Sequence, residues 1–545
     1  MKVRSDILRV YLTLHTWVGI TTGLLLFIGF FAGALTMFKQ PLDGWANAPS
    51  QRLAFTPDLD TLVAQTLQSQ PTARHEFTLH LTQDAHIAAP LVWSAGEGGH
   101  ELDLSGARRL ATLDANGELR IAEQTPSLLG ELIDMLHRTG GIPGFVADEY
   151  LGIYVLGVAG LLYFVALVSG VIVLLPTLLQ DFFALRPGKN RKRFWLDAHN
   201  VIGITSLPFH IVISLTVVVF AFHDQFYGAL AKVVYREQAM FTPPPAAAQP
   251  YAIDALLPPS QLVQRVEQAA PGFTVTELLY RNLESKRPFV RAGIVDARHV
   301  LHGPRTAYVG IQPYTGAIVM TSMLPGQADR WSAIVSNFFA LHFGSYGGNA
   351  VRWIYFLLGI GGAFLFYTGN LLWIESRRKR AKARQPLPAQ SRTTQAMAAL
   401  TIGVCFGSML GVAAALVGAK VLHGRLANIN DGYLALYYGA FGLSLAYAFM
   451  RGAARATPVL LASCALACAA IPLSSLLALL LPSLGWWAHG GRAALAVDAG
   501  GLAAALLFAY AAYAARRRAL HGPVDSVWSV HGAAPAATPA TELKA

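Results

Sequence analysis

Cysteine and charge are both scarce in this sequence: three cysteines in 545 residues, and Asp, Glu, Lys and Arg together at only 13% of positions. Cys405, Cys464 and Cys468 fall in apolar stretches without C-x-x-C spacing, which excludes a disulfide framework and a thiolate zinc site and leaves them as packing residues. Set against 54% hydrophobic residues, the shortage of charge excludes a soluble protein of ordinary domains. A strand, G-x-G-x-x-G and helix unit is also missing. Gly359-x-Gly361-Gly362 lies inside an apolar run, where close helix packing explains it, so no nicotinamide or flavin domain is built in.

What is present is a series of apolar runs near 12–38, 150–175, 198–222, 351–374, 395–420, 433–450, 457–481 and 493–515. Crossing a hydrocarbon core of about 30 Å takes roughly 20 helical residues, so eight spans are expected. The formal charge of +11 sits in clusters at span ends: Lys2, Arg4 and Arg9; Arg186 to Arg193; Arg377 to Arg384; Arg451 and Arg455; Arg516 to Arg518. This positive-inside pattern places both termini in the cytoplasm, puts segments 40–148 and 224–350 on the opposite side, and leaves no need for a nucleic-acid partner. The run from Val10 to Phe38 is too long for a signal-peptide core, so a retained anchor is expected despite the small residues Ala32-Gly33-Ala34.

The chain repeats itself. His15-Thr16-Trp17-Val18-Gly19-Ile20-Thr21 and His199-Asn200-Val201-Ile202-Gly203-Ile204-Thr205 both read H-x-x-[VI]-G-I-T at the start of a span. Each span leads into a helix-like stretch (Asp58 to Gln68; Ser260 to Ala269) followed by alternating strands and a turn. The first set comprises His75 to Leu81, Pro90 to Ser94 and the turn Asp114-Ala115-Asn116-Gly117. The second comprises Phe273 to Tyr280, Phe289 to Val295, Ala307 to Gln312 and the turn Pro313-Tyr314-Thr315-Gly316. A Leu-His segment then approaches the membrane (Leu136-His137; Leu341-His342), and the next span closes on Ser169-Gly170 or Thr368-Gly369. The duplication runs from about 5 to 385 and is parallel, so a pseudo-two-fold along the membrane normal is expected.

Imidazole within a span is costly and marks a site. A two-fold carries His15 onto His199 and His137 onto His342, making two pairs at two depths. Haem iron takes axial ligands from opposite sides, and Gly19 and Gly203, one turn beyond their histidines, would give the ring room. Small residues also serve plain helix packing. Zinc or copper is the competing reading, but it would recruit Cys, Asp or Glu, and only Asp197 lies near the inner pair. His210, eleven residues past His199, has Leu26 as its counterpart and is a less certain ligand, relay or packed group. His223 beside Asp224 reads as a capping or substrate-facing residue, and His80 adds a further imidazole in the first polar segment.

At these residues the chain resembles the PepSY-associated transmembrane-helix family, which includes siderophore-iron reductases of the bacterial inner membrane. The resemblance rests on Arg9 before His15-x-x-x-Gly19, on Leu136-His137 and Ser169-Gly170, on Phe194-Trp195-x-x-His199-x-x-x-Gly203 and Leu341-His342-x-Gly344, and on Thr368-Gly369 ahead of Trp373 and Arg377-Arg378-Lys379-Arg380. It implies two PepSY-like periplasmic modules, haem b at about two per chain on His15, His199, His137 and His342, and electron transfer to a ferric siderophore or other ferric chelate. The enzyme so implied is a membrane ferric-chelate reductase.

The expected fold is an all-α polytopic membrane bundle with two small α+β modules. Its plan is span 1 (1–39), module 1 (40–148), span 2 (149–176), a basic loop (177–197), span 3 (198–222), module 2 (223–350), span 4 (351–375), a second basic loop (376–394), a C-terminal four-span bundle (395–515) and a cytoplasmic tail (516–545). The last four spans carry no recognisable chemistry and are expected to be a docking platform or separate bundle, dispensable for haem, with His423 and His489 in solvated loops. The electron donor is a quinol or a separate reductase. Rival readings are a duplicated-bundle transporter, which lacks paired intramembrane carboxylates and has Pro208 as its single unmatched break, and a non-catalytic PepSY binding or regulatory protein.

Overall fold

The computed structural model describes residues 4–96, 104, 106–146, 149–186, 191–236, 246–296, 306–324, 326–327, 330–382 and 384–531. Pro187 to Asn190 of the first basic loop and residues 532–545 of the tail lie outside them. The chain opens with α1 (Ser5–Thr36) and α2 (Lys39–Ala46), then α3 (Leu59–Ser69), β1 (Glu76–His80), β2 (Leu91–Ser94), β3 (Arg108–Leu113), β4 (Leu119–Gln124) and α4 (Leu129–Thr139). A short hairpin, β5 (Phe145–Val146) and β6 (Glu149–Tyr150), enters α5 (Leu151–Leu174), followed by α6 (Leu178–Asp181), α7 (Arg191–Thr205), α8 (Leu207–Ala221) and α9 (His223–Leu230). The second polar segment holds α10 (Pro259–Ala269), β7 (Thr274–Arg281), β8 (Phe289–Val295), β9 (Ala307–Ile311), β10 (Ile318–Met320) and α11 (Arg330–Phe343). The chain finishes with α12 (Gly348–Ser376), α13 (Arg392–Val421), α14 (Ile429–Arg451), α15 (Ala453–Leu480) and α16 (Arg492–His521).

Among the described residues seven helices are long and apolar enough to cross a membrane, and the pair α7 and α8, bent by 69°, brings the number to eight when counted as one broken span. The bend has a local cause. Thr205 and Ser206 turn their hydroxyls back onto Val201 O (2.7 Å) and Ile202 O (2.5 Å), and Pro208 follows with no N–H to continue the ladder. The third span is therefore broken beside Pro208, the break the sequence offers, whereas α1 runs unbroken.

The two polar segments do not form two separate modules. Their strands make one antiparallel sheet in the order β10-β9-β8-β7-β1-β2-β3-β4, so two four-stranded meanders meet at their first strands. Phe77 and Tyr280 are register partners across that seam and stack at 4.3 Å. One core, containing Leu62, Leu91, Leu262 and Val309, serves both, with α3 and α10 on the same face and Ser260 N donating to Asp60 Oδ1 at 2.9 Å. The turn at Gly117 (φ 78°) needs the left-handed region, and Asp114 Oδ1 caps it by accepting from Asn116 N and Glu118 N.

The last four spans do not stand apart. Ile402, Cys405, Leu461, Cys464 and Trp528 share a core with Phe27, Tyr163 and Phe366 of the first bundle. Beyond α16 the chain turns back, where Asp525 accepts from Ala381 N at 2.7 Å and pairs with Arg378. His423 and His489 are half-buried rather than solvated: His489 Nε2 reaches Asn47 O at 3.0 Å, and His423 meets the Trp487 ring at 4.9 Å. A histidine at a helix end packs when a neighbouring chain covers it, and the segment around Asn47 does so here.

Candidate functional site

The fold brings both histidine pairs together. His15 of α1 and His199 of α7 stand with ring centroids 6.3 Å apart and planes at 84°; His137 of α4 and His342 of α11 stand 6.0 Å apart with planes at 35°. Measured along α1 from His15 to Gly29, which His137 touches, the pairs are separated by about 21 Å of helix.

Each imidazole is fixed through Nδ1. His15 Nδ1 meets Ala166 O at 2.8 Å and His137 Nδ1 meets Gly29 O at 2.8 Å. His199 Nδ1 meets Thr368 Oγ1 at 3.2 Å, and His342 Nδ1 meets Thr216 Oγ1 at 2.7 Å. A carbonyl only accepts. The two threonine hydroxyls spend their single proton on helix carbonyls, Thr368 on Leu365 O (3.0 Å) and Thr216 on Val212 O (2.8 Å), and so they accept from the ring as well. In all four histidines Nδ1 is therefore placed as the donor, which in a neutral imidazole leaves Nε2 as the nitrogen that can bind a metal.

Bare backbone lies against the rings. A Cβ placed on Gly33 would fall 2.6 Å from His137 Nδ1, and one on Gly170 would fall 2.9 Å from His15 Cε1. At Gly369, the counterpart of Gly170, a Cβ would stand 3.5 Å from His199 Cε1 and fit. Gly19 and Gly203 do not touch the rings: no atom lies within 4 Å of a Cβ built at Gly19, and only Leu365 Cδ1 at 3.6 Å approaches one at Gly203.

A cavity of about 1700 Å³ opens beside the outer pair, between the bundle and the sheet, with Gly29, Gly33, Tyr355 and Arg352 on its wall and His223 at its lining. His223 caps the end of α8, with Nδ1 on Phe220 O at 2.8 Å, and also faces this space. His210 belongs to neither pair. It packs against Phe30 (5.8 Å), Tyr163 (6.0 Å) and Phe209 (5.5 Å), and both of its nitrogens, like the Tyr163 hydroxyl, lack a hydrogen-bond partner among the described residues.

The residues fit a haem. Each pair brings two imidazoles to 6.3 or 6.0 Å between ring centroids, a spacing that would admit one metal atom between them, and histidine pairs are a donor set that haem iron takes. Among the described residues, no group of three or more His, Cys, Asp or Glu gathers to hold a bare metal ion.

The apolar helices and their length define a polytopic helical membrane protein. Within that class the chain belongs to the family described as the PepSY-associated TM region, which matches residues 12–376. No curated protein matches it. The matched region holds all four paired histidines and stops short of α13.

Sequence reasoning named Thr368 and Gly33 without their place beside the rings, and missed Thr216 and the backbone partners of the Nδ1 atoms. Gly29 and Gly33, one turn apart on α1, form a small-residue stripe legible in advance. The Ser169-Gly170 and Thr368-Gly369 repeat was legible too, but its task needs the helix packing.

Proposed function

We propose that this protein is a haem-b electron-transfer protein of the bacterial inner membrane, built on a duplicated four-span unit, that delivers electrons to ferric iron held in a chelate, a ferric siderophore being the expected substrate. The observation that carries the reading is the matched pair of histidine pairs, all four with Nδ1 placed as the donor. The sheet would lie in the periplasm with both termini in the cytoplasm, in keeping with the cationic loops at the opposite end.

In this reading His15 with His199, and His137 with His342, would hold the group through their imidazoles, while Ala166, Gly29, Thr368 and Thr216 hold the rings in place. Haem b, when bound, supplies reversible one-electron transfer. Gly33 and Gly170 let the rings sit flush against their neighbouring helices. Phe30, Tyr163, Phe209 and Phe366 exclude water between the two levels. The cavity beside His137 and His342 exceeds the roughly 300–1,000 Å³ of ordinary ligand sites, leaving room for a second ligand next to the cofactor. Ferrous iron binds hard oxygen donors more weakly than ferric iron, so reduction releases it from the chelate. The donor would be a quinol or a separate reductase.

The test is an oxidised and dithionite-reduced optical spectrum of the detergent-purified protein with a pyridine haemochrome assay. A low-spin b-type spectrum at about two haems per chain is expected for two bis-histidine sites. Colourless protein from haem-replete cells would overturn the proposal and favour a transporter or a PepSY binding protein.

A further inference from the structure

At the end of the bundle away from the sheet, a second cavity of about 840 Å³ lies between the family region and the last span. Five cations line it, Lys192, Arg378, Arg380, Arg517 and Arg518, against one acid, Glu375. Arg378 is spent on Glu375 at 2.7 Å and on Asp525. Lys192, Arg380 and Arg517 have no ion-pair or hydrogen-bond partner among the described residues.

The excess is particular to this site. The neighbouring basic cluster at the same end is balanced internally: Arg186 meets Asp197 at 2.7 Å and Asp181 at 2.5 Å, and Arg193 meets Asp181 at 3.0 Å. Nothing comparable balances Arg517. Cations held close together around a concave space repel one another unless an anion joins them.

The surroundings say what kind of anion. Tyr510 and Tyr513 on the rim are 71% and 65% exposed, and Leu506 and Leu507, about one turn further along α16, are 65% and 66% exposed. Tyrosine at the rim with bare leucine beyond is the pattern of a helix face at the membrane–water boundary. An anion entering from that side brings hydrocarbon with it.

We propose that this cavity binds the phosphate headgroup of an anionic phospholipid, with Lys192, Arg380 and Arg517 on the phosphate and the acyl chains against Leu506 and Leu507. Basic pockets between transmembrane helices recognise such headgroups by charge. The site is made jointly by α7, α12 and α16, so the lipid ties the last span to the family region. The proposal stands independently of what the histidines hold.

The experiment uses the full chain, delipidated in detergent, with native mass spectrometry reading the binding of dioleoylphosphatidylglycerol and dioleoylphosphatidylcholine. Phosphatidylglycerol is expected to bind at least about tenfold tighter, and the triple variant Lys192→Gln, Arg380→Gln, Arg517→Gln is expected to lose that preference. Arg4→Gln with Arg9→Gln, exposed cations at the same end, should keep it. Melting curves in phosphatidylcholine micelles check folding; if the triple variant fails, Arg517→Gln alone should lose about threefold. Equal affinities for the two lipids, or an unchanged preference in the folded variants, would refute the site. Displacement of phosphatidylglycerol by millimolar inorganic phosphate or flavin mononucleotide would make it a soluble-anion site and refute the lipid assignment.

Discussion

The helices that carry the two outer histidines, α4 and α11, each lead into a membrane helix yet are held differently. The N-terminal N–H groups of α4, which a helix cannot satisfy itself, are met from outside: Leu128 N donates to Asn430 Oδ1 at 2.8 Å and Gly130 N to Asp43 Oδ1 at 2.7 Å. Ser127 Oγ also meets Tyr433 Oη at 2.7 Å, and Tyr438 Oη donates to Gly141 O at 3.1 Å. Three of these four contacts come from α14 or its cap and hold the segment carrying His137 firmly. His342 has an aromatic setting instead, with Phe220 at 4.9 Å and Phe339 stacked on Phe343 at 6.0 Å, and Ile334 and Leu341 of α11 remain about 40% exposed. The two histidine-bearing helices thus differ in support, and the polar contacts that α14 makes to α4 hold the His137 side.

The strongest way to break this comparison is to remove the paired histidines on which the haem proposal rests. His15→Ala and His199→Ala should each halve the haem content by deleting the same spectral component, and His137→Ala and His342→Ala should each delete the other. Pyridine haemochrome assays with reduced spectra check this; different components lost from the two members of one pair would end the pairing.

Next come the glycines. Gly33→Ala and Gly170→Ala force a methyl into a histidine ring, an overpacking cost of about 1–3 kcal/mol that should lower occupancy of the outer and inner site respectively. Gly369→Ala has room and should leave the spectrum unchanged. Haem titration of the three variants separates these outcomes, and equal behaviour of Gly170 and Gly369 would show that the halves are more alike than their packing.

Asn430→Ala should be more selective. It leaves the Leu128 N–H buried without a partner, at about 1–3 kcal/mol, and frees α4, so the outer component should weaken and the inner one persist. Truncation after Ser391 should do the same more severely, contrary to the dispensable tail expected from sequence. A truncated protein with both components intact would break the assigned support.

The smallest effect concerns the sheet. Burial, aided by the charges of His86 and Arg108, holds the His80 imidazole down at about 4, although Glu277 stands 3.7 Å from Nδ1. The folded protein thus keeps His80 neutral while the unfolded chain takes up a proton near the ordinary value of 6.5. Stability is full above pH 6.5 and falls as the pH drops towards 4, by on the order of 1–3 kcal/mol. Melting temperature against pH, compared with His80→Gln, should show the variant flattened over that window.

Much of the architecture was legible because it follows from local chemistry. Turn residues such as Asn116-Gly117 and the β-alternation around Phe289 to Val295 located the strands, and the repeated His-x-x-x-Gly and Leu-His segments located all four histidines. The merging of two modules into one sheet was not legible, since an exposed first strand pairs with whatever edge arrives, and β1 meeting β7 is a long-range event. Nor was the break at Thr205 to Pro208 placed in full, because serine and threonine back-bonding adds to what proline alone suggests.

By itself the sequence determined that the chain is a polytopic helical bundle, where its apolar runs and cationic clusters lie and which histidine motifs recur, because hydropathy and repetition are written residue by residue. Tertiary structure decided which ring faces which, that the Nδ1 atoms of all four paired histidines are anchored, and that the last four spans brace α4. Those features depend on the approach of helices distant in the chain, where a carbonyl at Ala166 or a bare Cα at Gly33 acts only through the neighbour packed against it.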